Sequence, residues 1–127
     1  MNLVDSSAWL EYFADGANAR FFAPAIEDTP ALLVSSINLY EVFKRIVQQR
    51  DENAALQAVA IMQQGKVVDV DERIALSAVR LAIVHRLPMA DSLILATAQA
   101  AGATLWTQDA DFAEISGVRY RAKPASA

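Results

Sequence analysis

A short apolar run that stops at a carboxylate constrains this chain more than any other feature. Met1 to Val4 is followed by Asp5-Ser6-Ser7, and a helical pattern begins at Ala8. A buried strand that ends in capping residues and feeds a helix reads this way. The pattern recurs along the chain. Ala31 to Val34, Val67-Val68 with Val70, Ala103 to Trp106 and Val118 to Arg121 are further short strands. Between them, helical periodicity covers about 18–27, 37–50, 54–64, 71–87 and 90–101, with Pro88 separating the last two. On the helix starting at Asp71-Glu72, the buried stripe is expected to be Ile74, Leu76, Val79, Ile83 and Leu87. Short strands alternating with longer helices predict an α/β domain. Its centre is a mostly parallel sheet of 4–5 short strands with helices on both faces. One domain is expected over 1–122, with a loose tail over 123–127.

The 127 residues suffice for one core and not for two. With no Cys, thiolate catalysis, zinc fingers and iron–sulfur clusters are excluded. A single His, His85, excludes a multi-histidine metal centre and argues against a Ser-His-Asp hydrolase. Neither a basic-then-apolar leader nor an apolar run near the roughly 20 residues of a membrane span is evident, so a cytoplasmic protein is expected. Eleven Lys and Arg against fifteen Asp and Glu give a net charge of -4. That balance argues against gripping nucleic acid by bulk positive charge. It leaves open a protein whose acids gather in one place, so their positions matter most.

In an open α/β sheet, ligands bind beyond the C-terminal ends of the strands. Asp5 follows the first strand and Asp109 the fourth. Asp91 begins the helix before that fourth strand, and Glu41 lies in the helix after the second. All four can therefore meet at one edge of the sheet. Each also has a structural role open to it. Asp5 can cap its helix, Glu41 can pair with Arg45 one turn on, and Asp109 and Asp111 can form a turn. Asp91 is the hardest to explain that way, because apolar residues flank it on both sides. Crowded carboxylates need a counter-charge, and oxygen-only ligation suits Mg²⁺ or Mn²⁺. Such ions support phosphodiester hydrolysis without a histidine or cysteine nucleophile.

These segments resemble the PIN-domain ribonucleases, and among them the VapC-type toxins of type II toxin–antitoxin pairs. The resemblance spans essentially the whole chain. It rests on Leu3 to Leu10, on Ser35 to Val42 with Tyr40-Glu41-Val42, on Met89 to Ala96, and on Leu105 to Phe112. The family's first three acids match Asp5, Glu41 and Asp91, and its fourth matches Asp109, with Thr107 at the preceding hydroxyl position. Asp111 matches a neighbouring position that is often acidic, which leaves open which of the two aspartates lies nearer the metal. Ser6 and Ser7 match small residues that orient the first acid.

The resemblance implies a PIN-like fold and an Mg²⁺- or Mn²⁺-dependent endoribonuclease that cleaves RNA and slows translation. In its terms Asp5, Asp91 and Asp109 hold the metal. Glu41 holds a second ion or positions water, and Thr107 hydrogen-bonds a carboxylate or water. It further implies a homodimer and a hetero-oligomer with a cognate VapB-type antitoxin, through which alone operator DNA is reached. Lys44, Arg45 and Arg50, with Arg119, Arg121 and Lys123, fit a modest RNA surface. Two rival readings are a housekeeping PIN-domain RNA-processing nuclease and a catalytically silent protein-binding module. Receiver and haloacid-dehalogenase-type domains fit poorly, because serines stand at positions 6 and 7 where those folds need acids.

Overall fold

The structure is a computed structural model, described here over residues 1–125. Among these residues, five strands form one sheet: β1 (Asn2–Val4), β2 (Leu32–Ser35), β3 (Lys66–Val68), β4 (Thr104–Thr107) and β5 (Arg119–Tyr120). The order is β3-β2-β1-β4-β5 and every pairing is parallel. Six helices connect and cover the strands: α1 (Ser6–Phe13), α2 (Ala19–Glu27), α3 (Ser36–Gln49), α4 (Glu52–Met62), α5 (Glu72–His85) and α6 (Met89–Ala100). The α/β expectation, with a parallel sheet between helices, is met. None of these helices alone is long and apolar enough to cross a membrane.

Alternation along the strands sorts the core into two faces. In register, Leu3 lies beside Leu33 on one strand and Leu105 on the other. These three leucines point to the side where Ile94, Leu95 and Ala98 of α6 pack, with Phe112 and Ile115. Val4, Leu32, Val34 and Trp106 point the opposite way, toward Trp9 of α1, Phe22 of α2, Val42 of α3 and Met62 of α4. Helices α1 to α4 thus cover one face and α6 the other.

Local chemistry sets the helix starts. The carbonyl of Asp5 accepts from the N–H groups of Ala8 and Trp9, so α1 begins at Ser6, two residues before the apolar pattern announced it. Ser35 caps α3 by accepting from the Ile37 N–H, and the Asn38 side chain reciprocates to the Ser35 N–H. Asp51 and Asp71 cap α4 and α5 through the N–H groups of Ala54 and Ile74. Val70 falls outside β3 because its N–H is taken by the Ser36 hydroxyl.

One expectation fails clearly. Leu76, Val79 and Ile83 are 71%, 53% and 73% exposed, so they are not the buried stripe of α5. The helix lies outside α6 and presents Ile74, Ala78 and Leu81 to Ala96 and Leu93. Apolar residues occur on both sides of α5, and periodicity cannot say which side meets the core.

Candidate metal centre and active site

The strand order reverses at β1: the chain runs outward to β2 and β3, then returns to β4 on the other side. A crevice forms at such a switch point beyond the strands' C-terminal ends. Asp5 stands there, 2% exposed, its N–H continuing the ladder to the Trp106 carbonyl at 2.8 Å. Its carboxylate makes no capping bond to α1. Instead Oδ2 accepts from the Ser7 hydroxyl at 2.6 Å and the Thr107 hydroxyl at 2.9 Å. The capping role open to Asp5 is thus carried by its backbone alone, and the carboxylate faces the crevice.

Thr107 is the junction between two acids. While its hydroxyl donates to Asp5, it accepts from the Asp109 N–H at 2.9 Å and so fixes the turn that carries Asp109. Asp109 Oδ1 in turn accepts from the Asp111 N–H at 2.9 Å. The turn-forming role expected for these aspartates is present, and it uses one oxygen of Asp109.

Glu41 is held differently from the sequence expectation. Its Oε1 accepts from the Ser6 hydroxyl at 2.8 Å, and Ser6 Oγ accepts from Asn38 Nδ2 at 2.9 Å. The Ser6 hydroxyl therefore orients the second acid, and of the two serine hydroxyls only that of Ser7 joins Thr107 in orienting the first. Asn38, fully buried one turn before Glu41 on α3, escaped sequence reasoning. Its spacing of three from the cap Ser35 is a signal that could have exposed it. Asn18 and Gln108 also went unread. Asn18, 5% exposed, donates to Gln108 Oε1 at 3.1 Å and to the Ala122 carbonyl at 3.0 Å, and Gln108 reaches the Ser7 carbonyl at 3.3 Å. These bonds tie the segment after β5 to the crevice. No local pattern marks them.

The crevice has a volume of about 500 Å³, and Asp5, Glu41, Asp91 and Asp109 line it with Arg45 and Lys123. Lys123 belongs to the segment expected to be a loose tail; residues 126 and 127 of that segment lie outside the described residues. Carboxylate oxygens of Asp91, Asp109 and Asp111 come within 4.8 Å of one another. The tightest acidic group thus includes Asp111, with Asp5 and Glu41 facing it.

Crowding shows in the acidities. Burial raises Asp5 above the usual carboxylate range, hydrogen bonds from Ser7 and Thr107 oppose the rise, and the charge of Asp109 adds to it. Burial also raises Glu41, against the Ser6 hydrogen bond and with the charges of Asp5 and Asp109. Asp91 is pushed up to about 7, first by burial and then by the charges of Asp5, Asp109, Glu41 and Asp111. Crowded carboxylates of which three are raised by burial and by neighbouring negative charge form a donor set suited to a hard divalent cation. With no histidine or cysteine among them, the set fits Mg²⁺ or Mn²⁺ and not zinc.

A PIN-domain family model matches residues 3–118. The chain belongs to the PIN-domain family. Its PIN domain is similar to a toxin–antitoxin complex from Klebsiella pneumoniae at 27% identity, with 93% of this chain and 95% of that one covered and a TM-score of 0.77. It is similar in fold to VapC20 of Mycobacterium tuberculosis, a toxin that cleaves the sarcin–ricin loop. There the identity is 21%, the coverage 95% and 99%, and the TM-score 0.78. A third similar fold is VapBC2 of Rickettsia felis bound to a DNA fragment from its promoter, at 15% identity, 95% and 97% coverage and a TM-score of 0.72. Comparison with curated protein sequences gives no match. The near-complete coverage in both directions makes this PIN domain the same size as those three chains.

Proposed function

We propose that this PIN domain is a VapC-type toxin: an endoribonuclease that hydrolyses RNA phosphodiester bonds with Mg²⁺ or Mn²⁺ and is restrained by a cognate VapB-type antitoxin. One observation carries the reading. Four carboxylates, Asp5, Glu41, Asp91 and Asp109, line one crevice, and Asp111 lies within 4.8 Å of Asp91 and Asp109. The pKa values of Asp5, Glu41 and Asp91 are raised by burial and by neighbouring charge, and no histidine or cysteine is among the five. The likeness to toxin–antitoxin structures supports the biological setting.

In this reading Asp91, Asp109 and Asp111 hold the ion, with Asp5 facing them. A bound divalent ion supplies a polarised phosphate oxygen and a water of lowered pKa. The chain's own residues supply position. Ser7 and Thr107 fix Asp5 through Oδ2. Ser6 and Asn38 fix Glu41 Oε1, leaving Oε2 to accept a proton from an attacking water. Arg45 and Lys123 on the crevice wall offset the charge of the incoming phosphodiester. Leu10 and Ala14 are shared with a second cavity of about 250 Å³, lined by Phe13, Ile46, Ala58 and Ile61 between α1, α3 and α4. An antitoxin segment with an apolar part and a basic end would lie there and reach the acids. Action on cytoplasmic RNA, with operator DNA reached through the antitoxin, completes the reading.

Purified protein incubated with total RNA tests it directly. Cleavage should require Mg²⁺ or Mn²⁺, stop with EDTA, and fall more than ~100-fold in Asp109→Asn, beyond the usual cost of losing an outer-shell contact. Cleavage unaffected by EDTA or by Asp109→Asn would overturn the reading. Growth arrest by the wild type, relieved by co-expression of a small partner encoded beside it, tests the toxin assignment.

A further inference from the structure

The chain leaves the sheet beside the crevice and is caught at once. Strand β5 is two residues long, and its pairing with β4 ends where the Arg121 N–H donates to the Thr107 carbonyl at 3.0 Å. Beyond Thr107 the β4 chain bends into the turn that carries Asp109, so the ladder does not continue to residue 122. The Ala122 carbonyl is met instead by Asn18 Nδ2 at 3.0 Å. One residue before it, the Arg121 guanidinium lies over the Phe21 ring of α2 at 5.2 Å, while Arg119 lies over Trp106 at 4.5 Å. One residue after it, Lys123 lines the crevice with the acids.

Asn18 is itself held firmly. It is 5% exposed, and its own N–H donates to Glu11 Oε2 at 2.9 Å. The turn before it closes around that carboxylate, since a Cβ on Gly16 would collide with it. Nδ2 also donates to Gln108 Oε1 at 3.1 Å, and Gln108 Nε2 reaches the Ser7 carbonyl at 3.3 Å. Ser7 is the residue whose hydroxyl holds Asp5. One buried carboxamide therefore joins the segment carrying Lys123 to the backbone that positions the first acid. A buried amide is costly unless its hydrogens are paired, and these two are paired only with Gln108 and Ala122 in place.

We propose that Asn18 is a positioning residue, which clasps residues 121–123 against the crevice so that the Lys123 ammonium meets the phosphate chain of RNA beside the acids. The proposal rests on the nuclease reading of that crevice. A lysine on an untethered chain end has to be ordered when the strand binds, and the entropy lost is subtracted from its phosphate contact. With the clasp, that ordering is complete on folding.

Fluorescence anisotropy of a short labelled single-stranded RNA, titrated with the full chain in Ca²⁺ and checked intact by gel, tests the clasp; Ca²⁺ suits the same oxygen donors. Lys123→Gln should weaken binding about tenfold. It should also lower the slope of log affinity against log salt by about 0.7, the share of one phosphate contact on a single strand. Asn18→Leu should weaken binding severalfold with its far-UV circular dichroism unchanged, and should cost nothing more once Lys123 is already Gln. The Lys123 amide should show an NMR order parameter near ~0.85 in the wild type and below ~0.6 in Asn18→Leu. A wild-type value below ~0.6 overturns the proposal without needing any variant to fold. So does binding that Lys123→Gln leaves unmoved, or an Asn18→Leu effect that persists in full beside Lys123→Gln. In those cases the wild type still binds RNA and the reading of the crevice stands. A wild type that binds no RNA overturns both.

Discussion

Thr107 bears more of the crevice's geometry than its size suggests. Its one hydroxyl donates to Asp5 and accepts from the Asp109 backbone, so the first and fourth acids share a single anchor. Thr107→Val keeps the shape and removes both bonds. Mn²⁺ affinity measured by calorimetry should fall about 10–100-fold, the usual cost of losing an outer-shell partner of a metal ligand. Unchanged affinity would show that Ser7 alone positions Asp5. At this scale the sequence was legible for Asp5, Asp91 and Asp109, because each follows or begins an element whose end is written in the local pattern, while Glu41, inside α3, was marked by that helix following the second strand. Asn38 and Asn18 were not. Their partners are Ser6, 32 residues away, and Gln108, 90 residues away, and no local pattern carries a pairing at that separation.

At the scale of elements, the approach of β3 to β2 depends on Gly65. A Cβ there would lie 2.8 Å from Leu32 Cγ and 3.0 Å from the Leu32 carbonyl oxygen. Leu32 is 1% exposed inside the core and has no room to withdraw. Gly65→Ala should therefore destabilise the fold by about 1–3 kcal/mol, the range for overpacking a filled site. Urea unfolding followed by circular dichroism measures this, and an unchanged midpoint would mean that the β2–β3 edge yields freely. Helix α5 teaches the complementary lesson. Its existence, its cap at Asp71 and its end before Pro88 are local properties and were legible. Its rotation was not, because Leu76, Val79 and Ile83 form as good a stripe as Ile74, Ala78 and Leu81.

For the whole molecule, the net charge of -4 is concentrated where it costs most. One or two divalent ions would bring it to between about -2 and 0. Two effects on stability follow. With the ion removed by EDTA, Asp91 titrates at about 7 in the folded chain against 3.8 in the unfolded one. The folded state then binds more protons between these values, so this stabilisation is full below 3.8 and lost as pH rises through 7. Asp91→Asn removes the loss. Its melting temperature should exceed that of the wild type at pH 8, with the gap closing toward pH 4. Added Mn²⁺ should stabilise the wild type by about 2.7 kcal/mol at one hundred times its dissociation constant. Calorimetric scans with and without Mn²⁺ check both effects. A gap independent of pH, or equal Mn²⁺ stabilisation in Asp91→Asn, would count against a shared ion site.

The acid-rich composition that opened the question proved to describe a place. By itself the sequence determined the alternating strands and helices, the start of α5 at Asp71-Glu72, and the positions of Asp5, Asp91 and Asp109 at element ends. All of these are set by interactions within a few residues, which the order of side chains specifies directly. Only the tertiary structure decided that Asp111 joins Asp91 and Asp109 within 4.8 Å, that Ser6 serves Glu41, and which side of α5 faces outward. Those depend on how separate elements pack against one another, and packing selects among faces and partners that the local pattern leaves equivalent.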